Sequence, residues 1–87
     1  MKVIILHKLN AETDTQLQGY LRDFEQRTGK QIELMDVEGK EGVELAQIYD
    51  ILQFPAILVR EDMGELVQAW SEIDKWPTIS ELSYYTQ

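Results

Sequence analysis

The chain is 87 residues long, with 16 acidic and 8 basic residues, a formal net charge of −8 and no cysteine. A hydrophobic fraction of 44% with 28% charged residues describes a folded globule, not a disordered segment. The acidic balance is spread singly or in pairs, which argues against a nucleic-acid-binding face and against docking on anionic lipid, while the missing cysteine excludes disulfides and thiol chemistry.

Val3-Ile4-Ile5-Leu6 is a continuous, largely β-branched apolar run, the pattern of a strand buried on both faces. The segment MKVIILHKL has no small-residue cleavage pattern, so it reads as a strand and not as a signal peptide. No stretch approaches the ~20 apolar residues of a membrane span, and the expected location is the cytoplasm. Thr13 followed by Gln16 forms a capping-box pattern, with Asp14 in the first turn to complement the helix dipole. Leu17, Tyr20, Leu21 and Phe24 then follow at helical spacing, and Gly29 supplies the stop. The first helix is therefore expected over Asp14 to Thr28.

A second strand is expected over Gln31 to Val37, and a second helix over Glu41 to Ile51 with Val43, Leu45, Ala46, Ile48, Tyr49 and Leu52 as its apolar surface. Gly42 weakens the start of that helix slightly. Ala56 to Arg60 forms a third strand, Glu61-Asp62-Met63-Gly64 a turn with glycine where positive φ is needed, and Glu65 to Trp70 a fourth strand. Pro77 suits the first turn of a terminal helix in which Ile79 with Leu82 or Ser83 gives one apolar face. The order is β-α-β-α-β-β-α in a single domain spanning residues 1–87. Strand-helix-strand implies a parallel pair, and the last two strands an antiparallel hairpin.

Leu45 to Val59, LAQIYDILQFPAILV, joins a helix end to a strand through Phe54-Pro55. This run resembles the thioredoxin superfamily, in which a helix ending in LAxxYxI leads into xxFPT and a hydrophobic strand. Met35-Asp36-Val37 is similar to the family's second-strand ending, and Gly64-Glu65 to its hairpin turn. With Val3 to Leu6 the resemblance covers nearly the whole chain. It implies an α/β, thioredoxin-like fold, a four-stranded mixed sheet with helices on both faces, without the extra leading strand and helix of full thioredoxins. It also implies a cis proline at Pro55. The family's cysteine pair stands where this chain has Ala11 to Thr15, AETDT. Thiol-disulfide exchange needs a low-pKa thiolate nucleophile, which neither a hydroxyl nor a carboxylate replaces.

The resemblance marks Phe54-Pro55 as the candidate site, because in relatives the residue before this proline pairs its backbone with glutathione or a substrate peptide. The expected binding face comprises the strand-one loop (Ala11, Glu12, Thr13), Phe54, Pro55, Trp70 and Ser71. The competing account is that Pro55 only shapes its turn. Anion binding at the first helix is opposed by Glu12 and Asp14, so helix capping by Thr13 explains those residues better. His7 has no nucleophile or ligand cluster beside it, and Glu61, Asp62 and Glu65 lack calcium-loop spacing. One of Trp70 and Trp76 is expected in the core; exposed together with Phe54, the pair would form an apolar patch. The leading expectation is a redox-inactive adaptor that binds a protein or peptide, with no cofactor or metal and no nucleic-acid or membrane partner. A glutathione-binding or transferase-like domain, or a purely structural subunit pairing through a sheet edge, remain the alternatives.

Overall fold

The computed structural model describes residues 1–8 and 14–86. Strand β1 (Lys2–His7) lies inside a four-stranded sheet ordered β2-β1-β3-β4, with β2 at Glu33–Asp36, β3 at Ala56–Arg60 and β4 at Leu66–Trp70. β1 runs parallel to β2 and antiparallel to β3, which is antiparallel to β4. Helices α1 (Asp14–Thr28), α2 (Lys40–Ile48) and α3 (Ile79–Tyr84) complete the expected order, with one further 3-10 turn at Ile73–Lys75. The mixed sheet with helices on both faces follows from the alternation of strand side chains. Val3 and Ile5 pack with Leu17 and Phe24 of α1 and Leu82 of α3. Ile4 and Leu6 pack on the other side with Leu58 and with Leu45 of α2. A fully buried aliphatic side chain contributes about 1.5–3 kcal/mol, so the doubly covered β1 and β3 hold most of the stabilising area.

Helix α1 has the expected bounds. Gly29 ends it at φ +71°, and its N–H donates to the Glu25 carbonyl at 2.8 Å. The expected cap, Thr13, lies outside the described residues. β2 is shorter than expected at both ends, although Val37 N–H still donates to the His7 carbonyl at 2.9 Å.

Helix α2 ends at Ile48 instead of Ile51. Asp50 adopts the left-handed conformation at φ 57°, Ile51 N–H donates to Ala46 O at 2.8 Å, and Asp50 N–H points to Gln47 O at 3.4 Å. This is a Schellman ending with aspartate in the position glycine usually takes. Ile51 then turns inward against the Leu45 layer.

Gly42 has a different role from the one expected. A Cβ there would lie 2.8 Å from the Asp36 carbonyl carbon and 3.0 Å from Val37 Cα, and closer still to the Asp36 carbonyl oxygen. That oxygen also accepts the Gly39 N–H at 3.0 Å, while Asp36 Oδ1 accepts the Glu38 N–H at 2.9 Å. Glycine is thus what lets α2 start directly on the end of β2.

In the β3–β4 hairpin Gly64 has φ +97°, and β4 begins at Leu66. The register shifts between Val59, opposite Gln68, and Arg60, opposite Leu66, leaving Val67 as the extra residue of a bulge. Beyond the bulge, the Gln68 side-chain oxygen accepts the Ala69 N–H at 3.0 Å. The terminal helix starts two residues after Pro77. Thr78 caps it and forms a reciprocal capping box with Glu81, so Pro77 sits outside the helix and not in its first turn. Buried Pro77 instead offers its carbonyl to the Tyr20 hydroxyl at 3.0 Å. Among the described residues, no helix is long and apolar enough to cross a membrane.

Candidate binding site

Strand register gathers the expected site residues at one end of the sheet. Ala56 pairs with Leu6, so Phe54 and Pro55 precede β3 where His7 and Lys8 leave β1. Trp70 pairs with Ile57, so Ser71 leaves β4 at the same end. Ala11, Glu12 and Thr13, which connect Lys8 to α1, lie outside the described residues.

The Phe54–Pro55 peptide is cis. Pro55 is buried, and half-buried Phe54 packs its ring against the layer of Ile4, Leu6, Leu45 and Leu58. Trp70 belongs to the opposite layer, with Val3, Ile5 and Ile57, and stands edge-on to Tyr85 at a centroid distance of 5.9 Å. Trp76 packs into that layer too, edge-on to Tyr20 at 5.1 Å. Both tryptophans are half-buried and pack in the layer on the other side of the sheet from Phe54. The convergence is one of backbone: three strand ends meet, while the two large side chains point through the sheet in opposite directions.

At this end, the backbone groups of Gln53 and Phe54 make no hydrogen bond to any described residue. Ser71 is exposed and borders a shallow cleft of about 220 Å³ with Trp70, Glu72 and Lys75, where Lys75 Nζ and Glu72 Oε2 are 3.3 Å apart. His7 is half-buried opposite Asp36, and its Nδ1 has no partner among the described residues. Among the described residues, no group of three or more histidine, aspartate or glutamate side chains is placed to hold a metal.

One hydroxyl under the sheet is perturbed. Burial between α1 and α3, with a smaller contribution from the Glu81 carboxylate, pushes Tyr20 up to about 12. It therefore serves as a neutral donor to Pro77. Sequence reasoning passed over three positioning features: the Gly42–Asp36 approach, Asp50 as helix terminator, and the Tyr49 hydroxyl donating to the Gly64 carbonyl. The Thr78-x-x-Glu81 capping box was readable in the residues; the Tyr49 bond has no local signal.

Among solved structures, thioredoxin 1 from the thermophilic eubacterium Thermosipho africanus TCF52B superimposes with a TM-score of 0.63 at 13% identity, over 99% of this chain and 90% of that one. A malarial protein superimposes with a TM-score of 0.60 at 16% identity, over 99% and 94% respectively. No protein-family model matches the chain, and no curated protein matches it in sequence. The fold is thioredoxin-like. Without a cysteine it has no nucleophile for thiol-disulfide exchange.

Proposed function

We propose that the protein is a redox-inactive, thioredoxin-like binding module that takes an extended protein or peptide segment at the Phe54 end of the sheet. The reading rests on one observation: the backbone of Gln53 and Phe54, which makes no hydrogen bond to a described residue, lies where β1 and β4 end and β3 begins. Backbone donors and acceptors of exposed Gln53 and half-buried Phe54 suit strand addition. There the main-chain bonds supply affinity and flanking side chains supply specificity. Each such bond nets about 0.5–1.5 kcal/mol, so the ring and the Ser71 cleft must contribute to any useful affinity. The resemblance noted in the sequence supports the same position for a ligand, and the lack of cysteine leaves binding, not exchange, as its use.

The test is selection of binders from a displayed peptide library, followed by amide-shift mapping of the complex. Binders should perturb Gln53, Phe54 and Ser71, and Phe54→Asp should weaken binding at least tenfold. Because Phe54 is half-buried, exposed Ser71→Arg serves as a second variant that leaves the core alone. Selected binders that map elsewhere and tolerate both substitutions would refute the reading.

A further inference from the structure

Three aliphatic side chains are the most exposed large apolar groups among the described residues. Ile48 is 69% exposed, Leu52 83% and Met63 93%. For aliphatic residues beside a packed helix these are high values, since isolated exposed apolar groups are ordinary but a group of them marks a contact surface. Their placement has a physical cause. The Tyr49 hydroxyl donates to the Gly64 carbonyl, which ties the last turn of α2 to the β3–β4 turn. Ile48 adjoins that tyrosine and Met63 that glycine. The Schellman ending at Asp50 then turns Ile51 inward and leaves Leu52 outside. Ile48 and Met63 thereby adjoin, in the chain, the two residues that this inter-element hydrogen bond joins, and Leu52 follows the helix ending.

The charge flanking them along the chain is mostly acidic, although the Met1 amine and Lys2, opposite Arg60, lie at the same end of the sheet. Glu44, Asp50, Glu61, Asp62 and Glu65 flank the three residues in the chain, and all are exposed. Arg60 is the only basic residue between Glu44 and Glu65. Asp62 lies 3.9 Å from the Met1 amine, with nine-tenths of its side chain open to solvent. A second copy of this chain would bring the same carboxylates against these, at a cost in repulsion, and an anionic surface would be repelled likewise. A segment combining aliphatic anchors with lysine or arginine would bury the apolar groups and neutralise the rim together. Methionine adds an unbranched, polarisable side chain that adapts to different anchors.

We propose that Ile48, Leu52 and Met63, with their acidic rim, form a docking surface for a basic, apolar-anchored segment of a partner protein. Its Met63 part lies at the β3–β4 turn, the opposite end of β3 from Phe54, while Leu52 adjoins Gln53 in the chain, and the proposal goes beyond the function proposed above.

The test uses the whole chain and a synthetic amphipathic Leu/Lys peptide, with a Leu/Glu peptide of the same pattern as control. Titration is followed by amide shifts and calorimetry, and light scattering establishes the mass of the free chain. The Leu/Lys peptide should shift Ile48, Leu52 and Met63, and raised salt should weaken it. Ile48→Ser and Met63→Ser, both at exposed sites, should each weaken it several-fold with an unchanged melting curve. Glu61→Gln with Asp62→Asn should do so while leaving the apolar groups in place. Phe54→Asp should leave the shifts at Ile48 and Met63 unchanged, so this proposal and the strand-binding reading fail independently. Equal binding of the Leu/Glu peptide would overturn the proposal, as would shifts confined to other surfaces. So would a dimer in solution that Ile48→Ser dissociates.

Discussion

Replacing Gly42 by alanine pits two physical effects against each other, and the structure decides the sign. Helix propensity alone favours alanine over an interior glycine by about 0.5–1 kcal/mol. The added Cβ, however, would lie 2.8 Å from the Asp36 carbonyl carbon and 3.0 Å from Val37 Cα, both backbone atoms that cannot rotate away. Relief requires α2 to lift from the end of β2, loosening Leu45 from Ile4, Leu6 and Leu58. Overpacking of this kind costs about 1–3 kcal/mol, so Gly42→Ala should lose about 1–2 kcal/mol net. A domain of this size has only about 4–13 kcal/mol of stability, so the loss is a substantial share. Urea unfolding followed by tryptophan fluorescence measures it through Trp70 and Trp76, which are half-buried against the core. With a slope of about 1 kcal/mol per molar, the midpoint should fall by about 1–2 M. Gly19 is the internal control, since a Cβ there meets nothing within 4 Å. Gly19→Ala should raise the midpoint. A Gly42→Ala midpoint equal to or above the native one would refute the close approach of α2 to Asp36.

Three further outcomes follow from the same physical accounting. Asp50→Gly should raise stability by up to about 1 kcal/mol in the same urea assay, because glycine adopts the left-handed ending without a Cβ penalty. Thr78→Ala should lower it by about 1 kcal/mol through loss of the α3 cap, read as a lower thermal midpoint. Tyr20, pushed up to about 12 in the folded chain from an ordinary value of 10.0, holds its proton where the unfolded chain has released it. Its contribution to stability is complete below about pH 10 and is lost as pH rises towards about 12. Urea midpoints measured across that interval should fall more steeply for the native chain than for Tyr20→Phe, and equal slopes would contradict the assignment.

Much of the frame was legible because its signals are local. The Val3–Leu6 run marks a doubly covered strand, and Asp14 and Gly29 bracket α1 with residues suited to each end. The end of α2 was hidden because aspartate occupies the left-handed position, and Ile51 and Leu52 continue an apolar pattern after the helix has stopped. Gly42 misled for a different reason. Its local propensity argues weakness, whereas the tertiary contact with Asp36 makes a missing side chain necessary. Pro77 drew the start of α3 two residues too early, although Thr78 and Glu81 carry the capping signal. At the candidate site, Phe54-Pro55 was visible as a motif. The side of the sheet taken by Trp70 depends on its pairing with Ile57, and no run of residues states that pairing.

The hydrogen bond from Ala69 N–H to the Gln68 side chain bears on how the protein behaves when crowded. β4 is an outer strand of uncharged sequence, LVQAW, and such strands invite other chains to add to them. Here a donor on the strand is already occupied by its neighbour's amide oxygen, and the bulge at Val67 breaks the regular spacing that an incoming strand would need. A strand that looks aggregation-prone by composition thus carries its own guard in one glutamine and one misaligned residue. Gln68→Ala would free that donor, a change expected to be felt in concentrated solution more than in the folding equilibrium of a single molecule.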